Sequence, residues 1–254
     1  MIEKYYDGAI EQVAAGLGTV EKNYLLVRYS GQFSVENLND TKQLEKNEDI
    51  FVQVHEFETG EITCAYEPYL TMICDGFRRY MTGTFEEFME TCDVYYLHRP
   101  VLLGYFNQDN TGREEIILLD EVAYEQERML AALERMLCAI ADRHPVLFVL
   151  NRFQLASKST MQLTARFLKC ENCNIGLVLG VSDIQAMPEF LVPDWEMLYE
   201  TLDDGSKIYH IGNSGRKKEE TIDDENTLTM EVKKCTGNCR IWWNFLILTR
   251  RHII

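Results

Sequence analysis

Long apolar runs are missing from this sequence of 254 residues, and so is a basic start followed by an apolar stretch. The longest late apolar run, Ile241 to Leu248, contains Asn244 and falls well short of the about 20 residues that a membrane-spanning helix needs. The chain opens Met-Ile-Glu-Lys-Tyr-Tyr-Asp, which is not the pattern of a secretory signal. We therefore expect a soluble cytoplasmic protein that does not bind a membrane.

Basic side chains are also scarce. The chain carries 25 Lys and Arg against 41 Asp and Glu, a formal net charge of −16 at pH 7. A field of this sign repels phosphate backbones, so direct binding of nucleic acid is disfavoured. A local basic cluster, Arg216 to Lys218, is followed at once by Glu219 and Glu220, and we interpret it as a solvated loop.

Several familiar catalytic motifs are missing as well. The sequence has no G-x-S-x-G elbow, no H-E-x-x-H helix and no G-x-G-x-x-G turn. Its five histidines are scattered singly, and a lone histidine is more often a satisfied polar group than a base or a metal ligand. We therefore predict no catalytic residues from these motifs.

The composition is that of a folded protein. Hydrophobic residues make up 46% and charged residues 26%, which is enough apolar surface to build a core. The length suits one large α/β domain with at most a small appendage. Because the character of the sequence changes after Gly215, we expect an α/β domain in residues 1–215. Residues 216–254 are expected to form a polar linker and an atypical tail with a truncated or altered terminus.

The first half of the chain contains predicted strands and helices. Asn23 to Tyr29 is a β-favouring run that ends at the turn signal Ser30-Gly31, and Ile50 to Val54 is a second such run. Apolar residues at spacings of three and four predict a helix in Tyr66 to Tyr80. A shorter helix is predicted in Thr84 to Thr91.

The second half contains the clearest pattern. A long amphipathic helix is stopped at Pro145, and Val146 to Leu150 follows as a continuously apolar strand. A helix headed by hydroxyl residues comes next and runs through Leu168, and Asn174 to Val181 is another apolar strand. Strand, helix and strand in this order predict parallel pairing with a right-handed crossover. Lys207 to Ile211 is predicted to add a strand to the same sheet.

The stretch from Val146 to Thr160 reads Val-Leu-Phe-Val-Leu-Asn-Arg-Phe-Gln-Leu-Ala-Ser-Lys-Ser-Thr. It resembles the Walker B segment of the STAND branch of AAA-type ATPases. In that segment an apolar strand ends in acidic residues and continues as an aromatic, a polar residue, Leu-Ala and a Ser/Thr-headed helix. The strand that begins at Asn174 stands in the place of the family's sensor strand. Pieces of the resemblance cover roughly Tyr24 to Ile211.

The resemblance implies a fold and a function. The fold would be a three-layer P-loop-NTPase-like architecture, with a parallel sheet flanked by helices on both faces. The family's cofactors are ATP and magnesium. Its members act in bacterial multidomain signalling regulators, so the implied partners are other proteins or fused sensor and output domains.

Two departures from the family pattern predict that the chemistry is lost. Asn151 and Arg152 stand where working members have the acids that hold magnesium and position the attacking water. After the first strand, Ser30-Gly31 is not followed by the second glycine and the lysine of G-x-x-x-x-G-K-[ST]. We therefore predict a degenerate, non-enzymatic ATPase-like domain. Its candidate nucleotide contacts are Ser30, Gly31, Asn151 and Arg152.

A competent ATPase with unusual motifs is the first alternative. Four apolar residues followed by Asp120-Glu121 spell a Walker B motif literally, although these acids run directly into a helical pattern and suit its first turn. Gly16 to Asn23 contains glycines and a lysine, but it precedes the first strand, and we interpret it as a turn between a helix and that strand. If the chain is an enzyme, it is predicted to be an ATP hydrolase.

A non-enzymatic zinc-stabilised interaction module is the second alternative. The C-x-x-C pair Cys170 and Cys173 and the C-x-x-x-C pair Cys235 and Cys239 could together supply four thiolates to a tetrahedral zinc. A long stretch that holds a further predicted strand separates the two pairs. We therefore prefer to interpret these cysteines as reduced thiols that are buried or have no chemical role.

Overall fold

A computed structural model describes residues 2–19, 23–30, 33–35, 49–58, 65–108, 122–170, 174–182, 187–203 and 207–211. All of them belong to one compact unit, Met1–Gly212. The strands are β1 (Tyr24–Tyr29), β2 (Phe51–Glu56), β3 (Val146–Asn151), β4 (Ile175–Ser182) and β5 (Lys207–Ile211). The α-helices are α1 (Ile2–Gly16), α2 (Tyr69–Tyr80), α3 (Phe85–Thr91), α4 (Arg99–Phe106), α5 (Ala123–Ala141), α6 (Lys158–Lys169) and α7 (Val192–Asp203). The tail predicted in residues 216–254 lies outside the described residues.

The strands form one five-stranded sheet in the order β2-β3-β4-β1-β5, and every neighbouring pair is parallel. The predicted strand–helix–strand unit is therefore confirmed as β3, α6 and β4. Val27 of β1 lies beside Gly180 of β4, and Glu56 of β2 lies beside Asn151 of β3. This register brings the ends of β1, β2, β3 and β4 to one edge of the sheet.

Helices cover both faces of the sheet. All six residues of β3 are buried, and their side chains alternate between the two faces. Leu147 and Val149 belong to a core cluster that also contains Ile10 of α1. On the opposite face, the ring of Phe148 packs against Tyr69 of α2 with the ring centroids 4.7 Å apart. The predicted α/β class with three layers is confirmed.

Local sequence signals set the helix starts. Thr84 caps α3 in a capping box, because its side chain accepts from the Glu87 backbone N–H while the Glu87 carboxylate accepts from the Thr84 N–H. Ser157 caps α6 by accepting from the Thr160 N–H. These caps leave fewer backbone donors unsatisfied at the two helix ends. Both starts agree with the predicted positions.

Three α-helices, α1, α4 and α7, add to those predicted. Helix α1 presents a buried stripe to the sheet, and the stripe consists of Tyr6, Ala9, Ile10 and Val13. The turn predicted between Gly16 and Asn23 follows this helix, and the Asn23 amide donates a 2.6 Å hydrogen bond to the Gly16 carbonyl. Among the described helices, none combines the length and the apolar character that a bilayer crossing requires.

Candidate functional site at the carboxyl edge of the sheet

The strand order creates a switch point at the carboxyl edge. From β1 the chain crosses to β2, which is the outermost strand on one side of the sheet. From the neighbouring strand β4 it crosses to β5, which is the outermost strand on the other side. Open α/β sheets bind ligands in the crevice outside the carboxyl ends of strands at such a point. Asn151 is the last residue of β3 and Arg152 follows it, and Ser30 follows the last residue of β1. Gly31 lies outside the described residues.

The side chain of Asn151 is the centre of a buried polar cluster. Its Oδ1 accepts a 2.7 Å hydrogen bond from the Tyr29 hydroxyl and a longer one, 3.4 Å, from the Tyr6 hydroxyl. Its Nδ2 donates to the Phe33 carbonyl at 3.3 Å. A carboxylate at this position would keep the acceptors but would lose the donor. The amide therefore offers an acceptor to the two tyrosine hydroxyls and a donor to the Phe33 carbonyl.

Three aromatic rings pack together near the carboxyl end of β1. The centroid of the Phe33 ring lies 5.1 Å from that of Tyr6 and 5.7 Å from that of Tyr29. Phe33 and Val35 are 9% and 1% exposed, so both of these apolar side chains are buried. The resemblance expected from the sequence would place a phosphate-binding loop after the first strand. Here the described part of that region, residues 33–35, contributes Phe33 to an aromatic cluster with Tyr6 and Tyr29.

The side chains of Tyr6 and Asn151 occupy the position that a side chain at Gly180 of β4 would need. A Cβ atom at Gly180 would lie 1.9 Å from the Tyr6 hydroxyl oxygen and 2.6 Å from Asn151 Oδ1. Real Cβ atoms do not approach other atoms so closely, so a side chain at this position would displace the cluster. The missing side chain lets polar groups from α1 and β3 meet above β4.

Arg152 is held by a carboxylate. Its Nη2 lies 3.0 Å from Glu56 Oε1, and the two side chains are 24% and 13% exposed. The other oxygen of Glu56 accepts from the Ser34 hydroxyl at 2.7 Å and from the Val35 N–H at 3.2 Å. Glu56 thus contacts both the guanidinium of Arg152 and the chain at Ser34 and Val35. Arg152 also has a left-handed backbone, with φ at 53°.

A second polar clamp joins β4 to the turn after β3. The Gln154 side chain donates to the Ser182 carbonyl at 3.0 Å and accepts from the Ser182 N–H at 3.4 Å. Gln154 is 2% exposed, and its buried amide uses both its donor and its acceptor in these two hydrogen bonds. No role for Gln154 is predicted from the sequence.

Burial controls the protonation of the two tyrosines. Desolvation raises the pKa of Tyr29 to about 12, although the hydrogen bond to Asn151 and the charge of Arg152 oppose the shift. Desolvation also raises the pKa of Tyr6 well above its usual value, and the neighbouring Tyr29 and Glu56 add to the shift. Both hydroxyls therefore stay protonated near neutral pH. They act as hydrogen-bond donors rather than as bases.

The structure brings together two of the four predicted contact residues, Asn151 and Arg152, and adds three residues that sequence reasoning missed. These are Tyr6, Tyr29 and Glu56. One signal for them is present in the sequence. Asn151 lies on the same face of the strand as the buried residues Leu147 and Val149, so its polar side chain is predicted to be buried and to need hydrogen-bond partners. The partners of that side chain come from distant parts of the chain and have no sequence signal.

The residues of both alternative interpretations lie largely outside the described part of the chain. Asp120 and Glu121 lie there, and so do Cys173, Cys235 and Cys239, whereas Cys170 is described. Among the described residues, no group of three or more His, Cys, Asp and Glu side chains could hold a metal ion.

An exposed aromatic surface lies away from the sheet edge. The Arg128 guanidinium carbon sits 4.0 Å from the ring centroid of Tyr95 and 4.2 Å from that of Tyr124. Tyr96 packs against Tyr95, and Tyr96 and Tyr124 are 64% and 63% exposed. We call these four residues the tyrosine–arginine surface. Tyrosine and arginine are enriched among the residues that dominate protein–protein binding.

Comparison with known proteins gives no relative: the chain matches no protein-family model and no curated protein. Its function is therefore inferred from the carboxyl edge and from the tyrosine–arginine surface.

Proposed function

We propose that this chain is a degenerate AAA/STAND-type ATPase-like module of a cytoplasmic signal-transduction protein. It retains the α/β core but acts through packing and protein contacts, without hydrolysing ATP. The observation that carries the proposal is the bonding of Asn151, whose amide is committed to Tyr6, Tyr29 and Phe33. In a working member, an acid in this place would hold the water that coordinates magnesium.

The residues present do not fit a magnesium ion. Magnesium in nucleotide sites is held by carboxylates and phosphates, together with water. Asn151 is neutral and fully buried, and its oxygen already accepts two hydrogen bonds. A metal-bound water at this oxygen would have to displace a tyrosine hydroxyl. The freed hydroxyl would then be a buried donor without an acceptor, which costs about 1–3 kcal/mol.

The same edge does not fit a triphosphate. Arg152 is the cation that the resemblance would place near the phosphates, yet its guanidinium is paired with Glu56. A phosphate that approached Arg152 would meet the Glu56 carboxylate, and like charges at close range repel strongly where water is excluded. The ring of Phe33 packs against the rings of Tyr6 and Tyr29 near the carboxyl end of β1. These contacts support a scaffold that no longer holds nucleotide.

A role in protein contacts is supported by the tyrosine–arginine surface. Large exposed side chains that cluster on one surface are typical of interaction sites. Tyr96 and Tyr124 are each more than half exposed, and Arg128 holds the aromatic rings of Tyr95 and Tyr124 beside it. We propose that the partner is another protein or a fused sensor or output domain. The net charge of −16 disfavours nucleic acid as the partner.

Isothermal titration calorimetry of the full chain with Mg-ATP tests the proposal. We expect no saturable heat at millimolar nucleotide and no release of phosphate above that of a heat-killed control. A micromolar dissociation constant would overturn the proposal. The variant Asn151→Asp restores the acid alone, and we expect it to remain unable to bind Mg-ATP because Phe33 and the Glu56–Arg152 pair stay in place. Thermal unfolding of both proteins checks that each is folded.

A further inference from the structure

Two cysteine thiols meet where α5 and α6 lie side by side. The Sγ atoms of Cys138 and Cys170 are 3.9 Å apart. Cys138 lies in the last turns of α5, and Cys170 caps the carboxyl end of α6. The two sulfur atoms are therefore in van der Waals contact, and a disulfide would bring them to about 2.0 Å.

The two helices are already held together by an ion pair. Arg166 of α6 contacts Glu134 of α5 at 2.9 Å, and it also pairs with Glu127. A covalent link between Cys138 and Cys170 would therefore join helices that are neighbours without it. Cys170 has an extended backbone, with ψ at 115°, because the helix has ended there. A residue at a helix end adjusts its backbone more easily than one in a helix interior.

Both cysteines are partly exposed, and one of them faces an open groove. Cys170 lines a groove between α5, α6 and α7, together with Leu130, Ala165 and Met197. The partly exposed Cys170 therefore lies beside a groove that a small reagent can enter. Cys74 and Cys92 are instead 5% exposed each. Burial raises the pKa of Cys74 to about 12 and that of Cys92 to about 11, so neither forms much thiolate at neutral pH.

We propose that Cys138 and Cys170 are a redox-active pair that forms a reversible disulfide by exchange with a small disulfide of the glutathione class. The Cys170 thiolate attacks one sulfur of the reagent, forms a mixed disulfide and releases one thiol. The Cys138 thiolate then attacks the Cys170 sulfur and releases the second thiol. The protein loses two electrons and two protons, and the reagent's two sulfurs leave as two thiols.

The disulfide would connect the carboxyl ends of α5 and α6. The chain between the two cysteines contains β3, Asn151 and Arg152, so the link closes a loop around the strand that ends at the candidate site. Closing a loop reduces the conformational freedom of the unfolded chain and stabilises the fold. The pair thus makes the stability of this region depend on the thiol–disulfide balance.

Peptide mapping of the full chain after equilibration with oxidised and reduced glutathione tests the pair. We expect one cross-linked species that joins the Cys138 and Cys170 peptides with the loss of two hydrogens. We also expect the Tm to rise by roughly 5 °C on oxidation. Reduction with excess glutathione should reverse both changes.

Variants and competing links decide the outcome. Cys138→Ser and Cys170→Ser should each abolish both the cross-link and the rise in Tm, whereas Cys74→Ser should retain both. Circular dichroism shows whether each variant is folded, and the mapping of the unmodified chain does not depend on the variants. A Cys170–Cys173 or Cys92–Cys138 link as the main product would overturn the proposal. Glutathione mixed disulfides alone, or no cross-link at any ratio, would also overturn it.

Discussion

The Tyr29 hydroxyl donates a 2.7 Å hydrogen bond to Oδ1 of Asn151 and so joins the carboxyl ends of β1 and β3. These strands are not neighbours, because β4 lies between them. The bond can pass above β4 only because Gly180 has no side chain there. A strand order, a register and a glycine together create the buried polar cluster at this edge.

The close contacts at Gly180 predict a large effect of one methyl group. Gly180→Ala would place Cβ 1.9 Å from the Tyr6 hydroxyl oxygen, and we expect a loss of about 2 kcal/mol in the free energy of unfolding. Gly8→Ala is the matched control, because a Cβ on this α1 glycine has nothing within 4 Å. The control should gain about 0.5–1 kcal/mol through helix propensity. Urea unfolding measures both, and equal effects would contradict the packing described for Gly180.

The Tyr29–Asn151 hydrogen bond predicts a specific coupling. Tyr29→Phe should lower the free energy of unfolding by about 1 kcal/mol, because Asn151 Oδ1 loses its shorter bond. Tyr6→Phe should cost less, since the Tyr6 hydroxyl lies 3.4 Å from the same oxygen. A double-mutant cycle of Tyr29→Phe with Asn151→Ala isolates the interaction. Additive effects of the two changes would show that the bond contributes nothing to stability.

The protonation of Tyr29 predicts a loss of stability in alkali. Its pKa is raised from an unfolded value near 10 to about 12 in the fold, so the native state binds more protons than the unfolded state between these values. The contribution is complete below about pH 10 and is lost as the pH rises toward 12. Unfolding midpoints measured across this range should fall less steeply in Tyr29→Phe than in the unmodified protein. Identical slopes would show that Tyr29 does not control the transition.

The Glu56–Arg152 pair predicts a difference between buried and exposed ion pairs. Glu56→Gln should destabilise the fold by about 1–2 kcal/mol, because Arg152 loses its charged partner at a site where both side chains are mostly buried. Glu90→Gln removes a comparable pair with Arg99, but Glu90 is 63% exposed, and the expected cost is below about 0.5 kcal/mol. Chemical unfolding of the two variants provides the comparison. A cost for Glu56→Gln no greater than that for Glu90→Gln would refute the role given to Glu56.

The local elements of the fold could be predicted from the sequence. The apolar run of β3, the hydroxyl cap at Ser157 and the capping box at Thr84 depend on neighbouring residues, so their signals lie within a few positions of one another. The parallel pairing of β3 with β4 also follows from the helical crossover between them, because parallel strands need a long connection that usually contains an α-helix.

The surroundings of Asn151 could not be predicted from the sequence, because they depend on how the strands and helices pack. Its partners Tyr6 and Tyr29 are 145 and 122 residues away along the chain. Periodicity tells which face of a strand is buried, but it does not tell which strand is the neighbour or which side chains meet. The position of β4 between β1 and β3, set by the packing of all the layers, placed these distant groups within hydrogen-bonding distance.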